Sequence, residues 1–262
     1  MGDEKVGKMP AMETTLAIAD VPAEQLEYLC DGHGCGVSHA VQHGGGKSNL
    51  LTHLTEVRYV LKKQLLCDDE ALLAAALFHS IYGTEGFQGK VLPLSERPKV
   101  RAVIGERAEF TAYLNCVMHR ATLDEAVCRL QEELSAAGTD NLGSESEGYF
   151  IFSRTEHGRE RIPLTREQLI DLMTVHFADW AQQVARYSMW SYRREAYQKI
   201  AETLGGIYAA THKEIIATEP ADAENRLPEM VRARQLGIFD EVMRGEVKLQ
   251  DFLDKNNKIA TA

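Results

Sequence analysis

The 262-residue chain carries 29 Lys and Arg against 39 Asp and Glu, a formal net charge of −10, with 44% hydrophobic residues. Such a balance suits a globular core and excludes a non-specific binder of nucleic acid or anionic membrane, since both need a basic surface. A local basic pocket for a phosphate-bearing small molecule is still allowed.

The five cysteines form no CxxC pair, and Cys67, Cys116 and Cys128 sit in apolar helical stretches, so the pattern reads as a reducing compartment rather than a disulfide framework. Residues 1–20 read as a flexible leader without the apolar core of a signal peptide, and Gly2 lies in a poor context for myristoylation. A cytoplasmic location is the expectation. VPAEQLEYLC (21–30) predicts a short helix with Pro22 in its first turn. The glycine- and histidine-rich stretch 31–49 predicts a functional loop or lid. Its GGGKS string has Val41 where a phosphate-binding loop needs glycine, and no strand precedes it.

SNLLTHLTEVRYVLKKQL (48–65) predicts a long amphipathic helix capped by Ser48 or Asn49, with His53 on its apolar stripe. Asp68 is expected to cap DDEALLAAALFHS, which is apolar on all sides and should be the central buried helix, ending at His79. The loop GTEGFQG follows. Residues 96–120 predict a helix broken near Gly105, and the next helix opens on a Thr122–Glu125 capping box and stops at Gly138. YFIFSRTEHGRERIPLT predicts a hairpin about His157-Gly158. Thr165 and Gln168 form a second capping box at the head of a long helix, and a further helix ends at Gly205-Gly206. The tail from Pro220 shows only short helical patches. The fold class is all-α with one short β-hairpin insertion.

In the helix after Thr165, Leu172, His176, Asp179 and Gln183 share a row, and Asp179 is flanked by Phe177, Ala178, Trp180 and Ala181. A carboxylate in that setting is either salt-bridged to a neighbouring helix, hydrogen-bonded or metal-bound. His53 and His79 are each either a satisfied core histidine or a ligand. Taken together with Asp179 they offer imidazole and carboxylate donors suited to Mn(II), Fe(II) or Zn(II); spacing alone does not show that they converge.

The order "HL" in a helix, "FH" at the end of a second and "AD" in a distant third resembles the HD superfamily of metal-dependent phosphohydrolases. More closely, LLTHLTEVRYVL, LAAALFHSIYGTEGF, VRAVIGERAEFTAYL and HFADWAQQ are similar to an uncharacterised HD-like family with His-Ser in place of His-Asp, over roughly residues 43–206. The resemblance implies an HD-domain-like helical bundle over 21–210, with 211–262 as a C-terminal helical appendage. It implies His53, His79 and Asp179 as metal ligands. Ser80 stands where the superfamily has a metal-binding aspartate, which points to a mononuclear rather than a dinuclear centre. Glu85 falls near the acidic residues that assist water in related hydrolases and is the candidate general base. Ser80, Thr84, Glu106, Arg107 and His43 are candidates for binding substrate, with an interhelical ion pair as the alternative for Glu106 and Arg107. The implied function is hydrolysis of a small phosphorylated metabolite or nucleotide; an HD-fold non-haem iron oxygenase and a non-catalytic binding protein are the alternatives. The expected partner is a small anionic molecule, neither nucleic acid nor membrane, with homo-oligomerisation left open.

Overall fold

The computed structural model describes residues 20–30, 42–43, 48–87, 92–136, 148–187 and 192–217. The leader, most of the glycine-rich stretch, the stop at Gly138 and the tail from Pro220 lie outside them.

The described residues are mostly helical, as expected. In chain order they form α1 (Ala23–Cys30), β1 (Gln42–His43), β2 (Ser48–Asn49), α2 (Leu50–Tyr59) and a π-helical turn (Val60–Gln64). Then come α3 (Glu70–Phe78), α4 (Arg97–Ile104), α5 (Glu106–Val117) and α6 (Arg120–Ala136). The hairpin β3 (Tyr149–Phe152) and β4 (Arg161–Leu164) leads into α7 (Arg166–Tyr187), α8 (Arg194–Leu204) and α9 (Gly206–Ala217). No helix here is long and apolar enough to cross a membrane.

Helix α3 occupies the centre because every residue from Leu72 to Phe78 is apolar, leaving it no face to offer water. It packs against α2, α5 and α7. Its cap is Asp69, one residue later than expected: the Asp69 carboxylate accepts from the N–H groups of Ala71 and Leu72. Asp69 also binds Arg107, so it ties the start of α3 to α5.

Two other expectations are corrected. Ser48 and Asn49 pair with Gln42 and His43 as a two-residue antiparallel ladder, so the described residues hold a second, minimal sheet beside the single hairpin expected. Helix α6 begins at Arg120, and the Thr122 hydroxyl donates to the His119 carbonyl, so no capping box forms there. Helix α8 does end at Gly205, as read, and Gly206 opens α9, which packs on α7 and α8. By contrast, the break at Gly105 (φ 84°) and the β3–β4 hairpin, turning through Gly158 (φ 85°), stand as read. So does the capping box, in which the Thr165 N–H donates to Gln168 and the Gln168 N–H donates to the Thr165 hydroxyl.

The hairpin has a structural duty. Ser153 bridges Met118 in the linker between α5 and α6, the His119 N–H donates to the Phe152 carbonyl, and the Arg154 N–H donates to the Val117 carbonyl. The buried Arg154 guanidinium then donates to the carbonyls of Thr84 (3.0 Å) and Cys116 (3.0 Å). One arginine thereby holds the loop after α3 against the end of α5.

Candidate metal centre

Three buried side chains from three helices meet below that loop. His53 comes from the middle of α2, His79 from the end of α3 and Asp179 from the middle of α7, each at most 3% exposed. The His53 and His79 Nε2 atoms are 3.1 Å apart, and Asp179 Oδ1 lies 3.2 Å from the first and 3.4 Å from the second. Two donors bound at about 2.1 Å to one ion, at angles between octahedral and tetrahedral, stand about 3.0–3.4 Å from one another. The observed triangle has those dimensions.

The protons of the two imidazoles can be placed from their outer partners. His79 Nδ1 is 2.7 Å from the Ala76 carbonyl, which only accepts, so Nδ1 carries the hydrogen. His53 Nδ1 is 3.0 Å from Gln182 Oε1. The orientation of Gln182 follows in turn from Glu56, because its amide nitrogen donates to the Glu56 carboxylate at 2.6 Å. Both rings therefore present the Nε2 lone pair inward, the tautomer that a metal ligand requires. Three acceptors facing one another within 3.4 Å repel unless a cation or proton lies between them. One proton satisfies one pair; a divalent cation satisfies all three. Burial alone would raise the Asp179 carboxyl pKa; a positive charge shared with His79 and His53 outweighs it and holds the group well below its ordinary range. The residues fit a divalent metal, and among the described residues this is the group of histidine, cysteine and carboxylate side chains placed to hold one.

Around the triad the supports are polar and matched. The Gln183 amide nitrogen donates to Asp179 Oδ1 at 2.7 Å. The His79 carbonyl accepts from Asn115 Nδ2 (3.0 Å) and from the Cys116 thiol (3.1 Å), whose pKa burial pushes up to about 12, so it stays a neutral donor. The other end of Asn115 accepts from His176 Nδ1, and His176 Nε2 accepts from the Tyr197 hydroxyl, both at 3.0 Å. Burial, with Arg120 adding to it, keeps His176 well below its ordinary value of 6.5 and hence neutral. His176 is the satisfied core histidine that His53 and His79 are not.

A partly open cleft lies beside the triad. Ser80 and Thr84 line it together with Arg120, and Gly86, Phe87, Gln183 and Tyr192 form its less buried rim. Arg120 was not legible from the sequence. Its guanidinium is buried, donates to the Tyr192 hydroxyl at 2.6 Å, and lies so close to the 84–87 loop that a methyl group on Gly86 would sit 3.4 Å from two of its nitrogens. Trp180 in turn donates to the Tyr192 carbonyl, fixing from α7 the hydrogen-bond partner of Arg120. Gln182 and Tyr192 were missed as well, and Gln183, though read on the row of Asp179, was given no role. The signals for the glutamines are the QQ pair of ADWAQQ and, for Gln183, its place four residues after Asp179 on one helix row.

Other candidates have different duties. Glu85 accepts from the Arg120 N–H at 2.7 Å, so its carboxylate caps the start of α6 and is not among the groups lining the cleft. Arg107 grips Asp171 with two nitrogens at 2.7 Å and Asp69 with a third at 2.8 Å, the interhelical ion pair rather than a substrate contact. Glu106 is exposed, 3.9 Å from Arg101, and also lies off the cleft. The buried acid of that segment is Glu109, held by Arg97 in a two-point contact and by the Tyr82 hydroxyl. The side chain of His43 lies outside the described residues.

Residues 35–120 match the model of a domain of unknown function, DUF6817. No curated protein and no solved structure matches the chain. The matched segment contains His53, His79, Ser80 and Arg120, whereas Asp179 and both supporting glutamines lie beyond it.

Proposed function

We propose that the chain is a mononuclear metal-dependent hydrolase of the HD type, acting on a small phosphorylated molecule. The observation that carries this reading is the His53–His79–Asp179 triangle, with both imidazole lone pairs turned inward and the cleft alongside. The order of the ligands along the chain also follows the HD pattern, with serine in place of the second aspartate. When bound, a divalent ion supplies Lewis acidity and makes water a usable nucleophile near neutral pH.

The chain's own residues do the rest. Gln182 and the Ala76 carbonyl hold the proton on the outer nitrogen of each imidazole. Gln183 orients the Asp179 carboxylate through its Oδ1. Arg120 supplies a permanent positive charge in the lining of the same cleft, suited to an anionic substrate group. Phe87 and Tyr192 at the rim limit water around a bound ligand. With Glu85 engaged at the start of α6, Asp179 is the sole carboxylate among the described residues that line the cleft.

The test is metal analysis of protein purified without chelator, followed by phosphate release from a panel of phosphomonoesters and nucleotides. The expected result is one equivalent of Mn, Fe or Zn and hydrolysis that disappears in His79→Ala. Protein that takes up no metal even when loaded would overturn the proposal. Iron with O₂-dependent turnover and no phosphate release would assign the same ligands to an oxygenase.

A further inference from the structure

Two cleft residues carry buried polar atoms with no partner. Ser80 is 2% exposed, and its hydroxyl makes no hydrogen bond. Arg120 is 6% exposed, and its Nε also has none, although its Nη1 and main-chain N–H are engaged. Leaving such groups dry and unpaired is unfavourable, and native proteins rarely do so without a ligand or water to complete them. The other buried side-chain atoms without partners, on Asp20, Gln25, Arg58, Arg154, Arg193 and His212, belong to residues outside the cleft lining.

We propose that Ser80 and Arg120 form the binding site for a tetrahedral, doubly charged oxyanion of the phosphate type, and that Ser80 is a substrate contact rather than a vestigial metal ligand. Both side chains offer hydrogens to an acceptor. A guanidinium fork matches phosphate oxygens in geometry, and a hydroxyl can turn to donate to one of them. Charge narrows the class further. In the cleft lining Asp179 and Arg120 cancel, so a divalent metal on the triad leaves two positive charges in excess, which a dianion balances. This last step rests on the metal-centre reading; the unpartnered atoms do not. The serine also explains how one metal can suffice. Where an aspartate would bring a further negative charge beside His79, Ser80 brings a neutral donor and leaves room for an anionic ligand.

Inorganic phosphate is the probe, titrated calorimetrically into the full chain before and after metal removal, with metal content and melting temperature measured on every sample. Ser80→Ala should weaken phosphate binding by about tenfold, and Arg120→Gln by about a hundredfold. Metal stoichiometry should stay at the wild-type level in both. Arg120→Lys keeps the charge without the fork and should fall between wild type and Arg120→Gln, which separates lost recognition from lost folding. Loss of metal in Ser80→Ala, or phosphate affinity unchanged in folded Arg120→Gln and Ser80→Ala, would overturn the assignment. If the protein takes up no metal but still binds phosphate in an Arg120-dependent way, the anion site stands and the hydrolase reading falls.

Discussion

Replacing Gln182 with leucine tests the metal centre without touching a ligand. In the native protein the one proton of neutral His53 is pinned to Nδ1 by the Gln182 carbonyl oxygen, 3.0 Å away. Leucine has similar bulk and no acceptor. His53 is 1% exposed and Gln182 3%, so water is poorly placed to take over. An unpaired buried N–H costs about 1–3 kcal/mol. The ring can avoid that cost by moving the proton to Nε2, where it points at Asp179 Oδ1, 3.2 Å away. Either way metal binding has to restore the unfavourable tautomer, so affinity should fall by about 10- to 100-fold, or about 1.4–2.7 kcal/mol. The assay is competition for Zn(II) or Mn(II) against a chelator of known affinity, with unfolding of the metal-free protein measured in parallel. Metal-free Gln182→Leu should lose less stability than the metal-bound form, because the relocated proton gains a partner. Affinity within about twofold of wild type would refute the tautomer reasoning, since support groups of this kind ordinarily matter more.

Glu85→Gln should cost about 0.3–1 kcal/mol of stability, read by urea unfolding, because a charge is lost at the start of α6; a drop in turnover of about a hundredfold or more would instead make Glu85 the general base. Arg107→Ala should leave metal content unchanged and lower stability by about 1–3 kcal/mol, because it strands the buried Asp171 carboxylate; loss of phosphate binding in that variant would return Arg107 to the substrate site. His176 titrates below its ordinary 6.5, so the unfolded chain takes up its proton first as pH falls. The stability it contributes is full above about pH 6.5 and is lost on acidification, at up to about 1.4 kcal/mol per pH unit. His176→Gln should therefore flatten the acid limb of a stability–pH profile measured on metal-free protein, and an unchanged limb would count against a neutral His176.

The triad was readable because each ligand departs from its surroundings: His53 on the apolar stripe of α2, His79 at the end of an apolar run, and an aspartate between Phe177 and Trp180. Their order along the chain did the rest. The helices were readable from periodicity, and the Thr165–Gln168 box from its spacing. What was not readable depends on contacts across the fold. Thr122 and Glu125 have the spacing of a box, yet α6 starts two residues earlier because Glu85, from a distant loop, caps Arg120. Asp68 and Asp69 are equivalent on paper; Arg107 helps hold the second in place. Arg120 sits in a helix start of ordinary composition and becomes a cleft residue only because the hairpin docks on the linker before it. The π-helical turn after Tyr59 left no mark in the residues themselves.

That hairpin has a consequence for anyone trimming or transplanting the site. It donates no ligand and lies outside the segment matched by the domain model, so it looks dispensable. Arg154 nevertheless clasps the carbonyls of Thr84 and Cys116, one on the wall of the cleft and the other next to Asn115, which steadies His79. It works as a buckle across two straps that would otherwise meet only through the core. A shortened protein ending near residue 120 would lack both the buckle and Asp179, and would carry the signature of the centre without the means to assemble it.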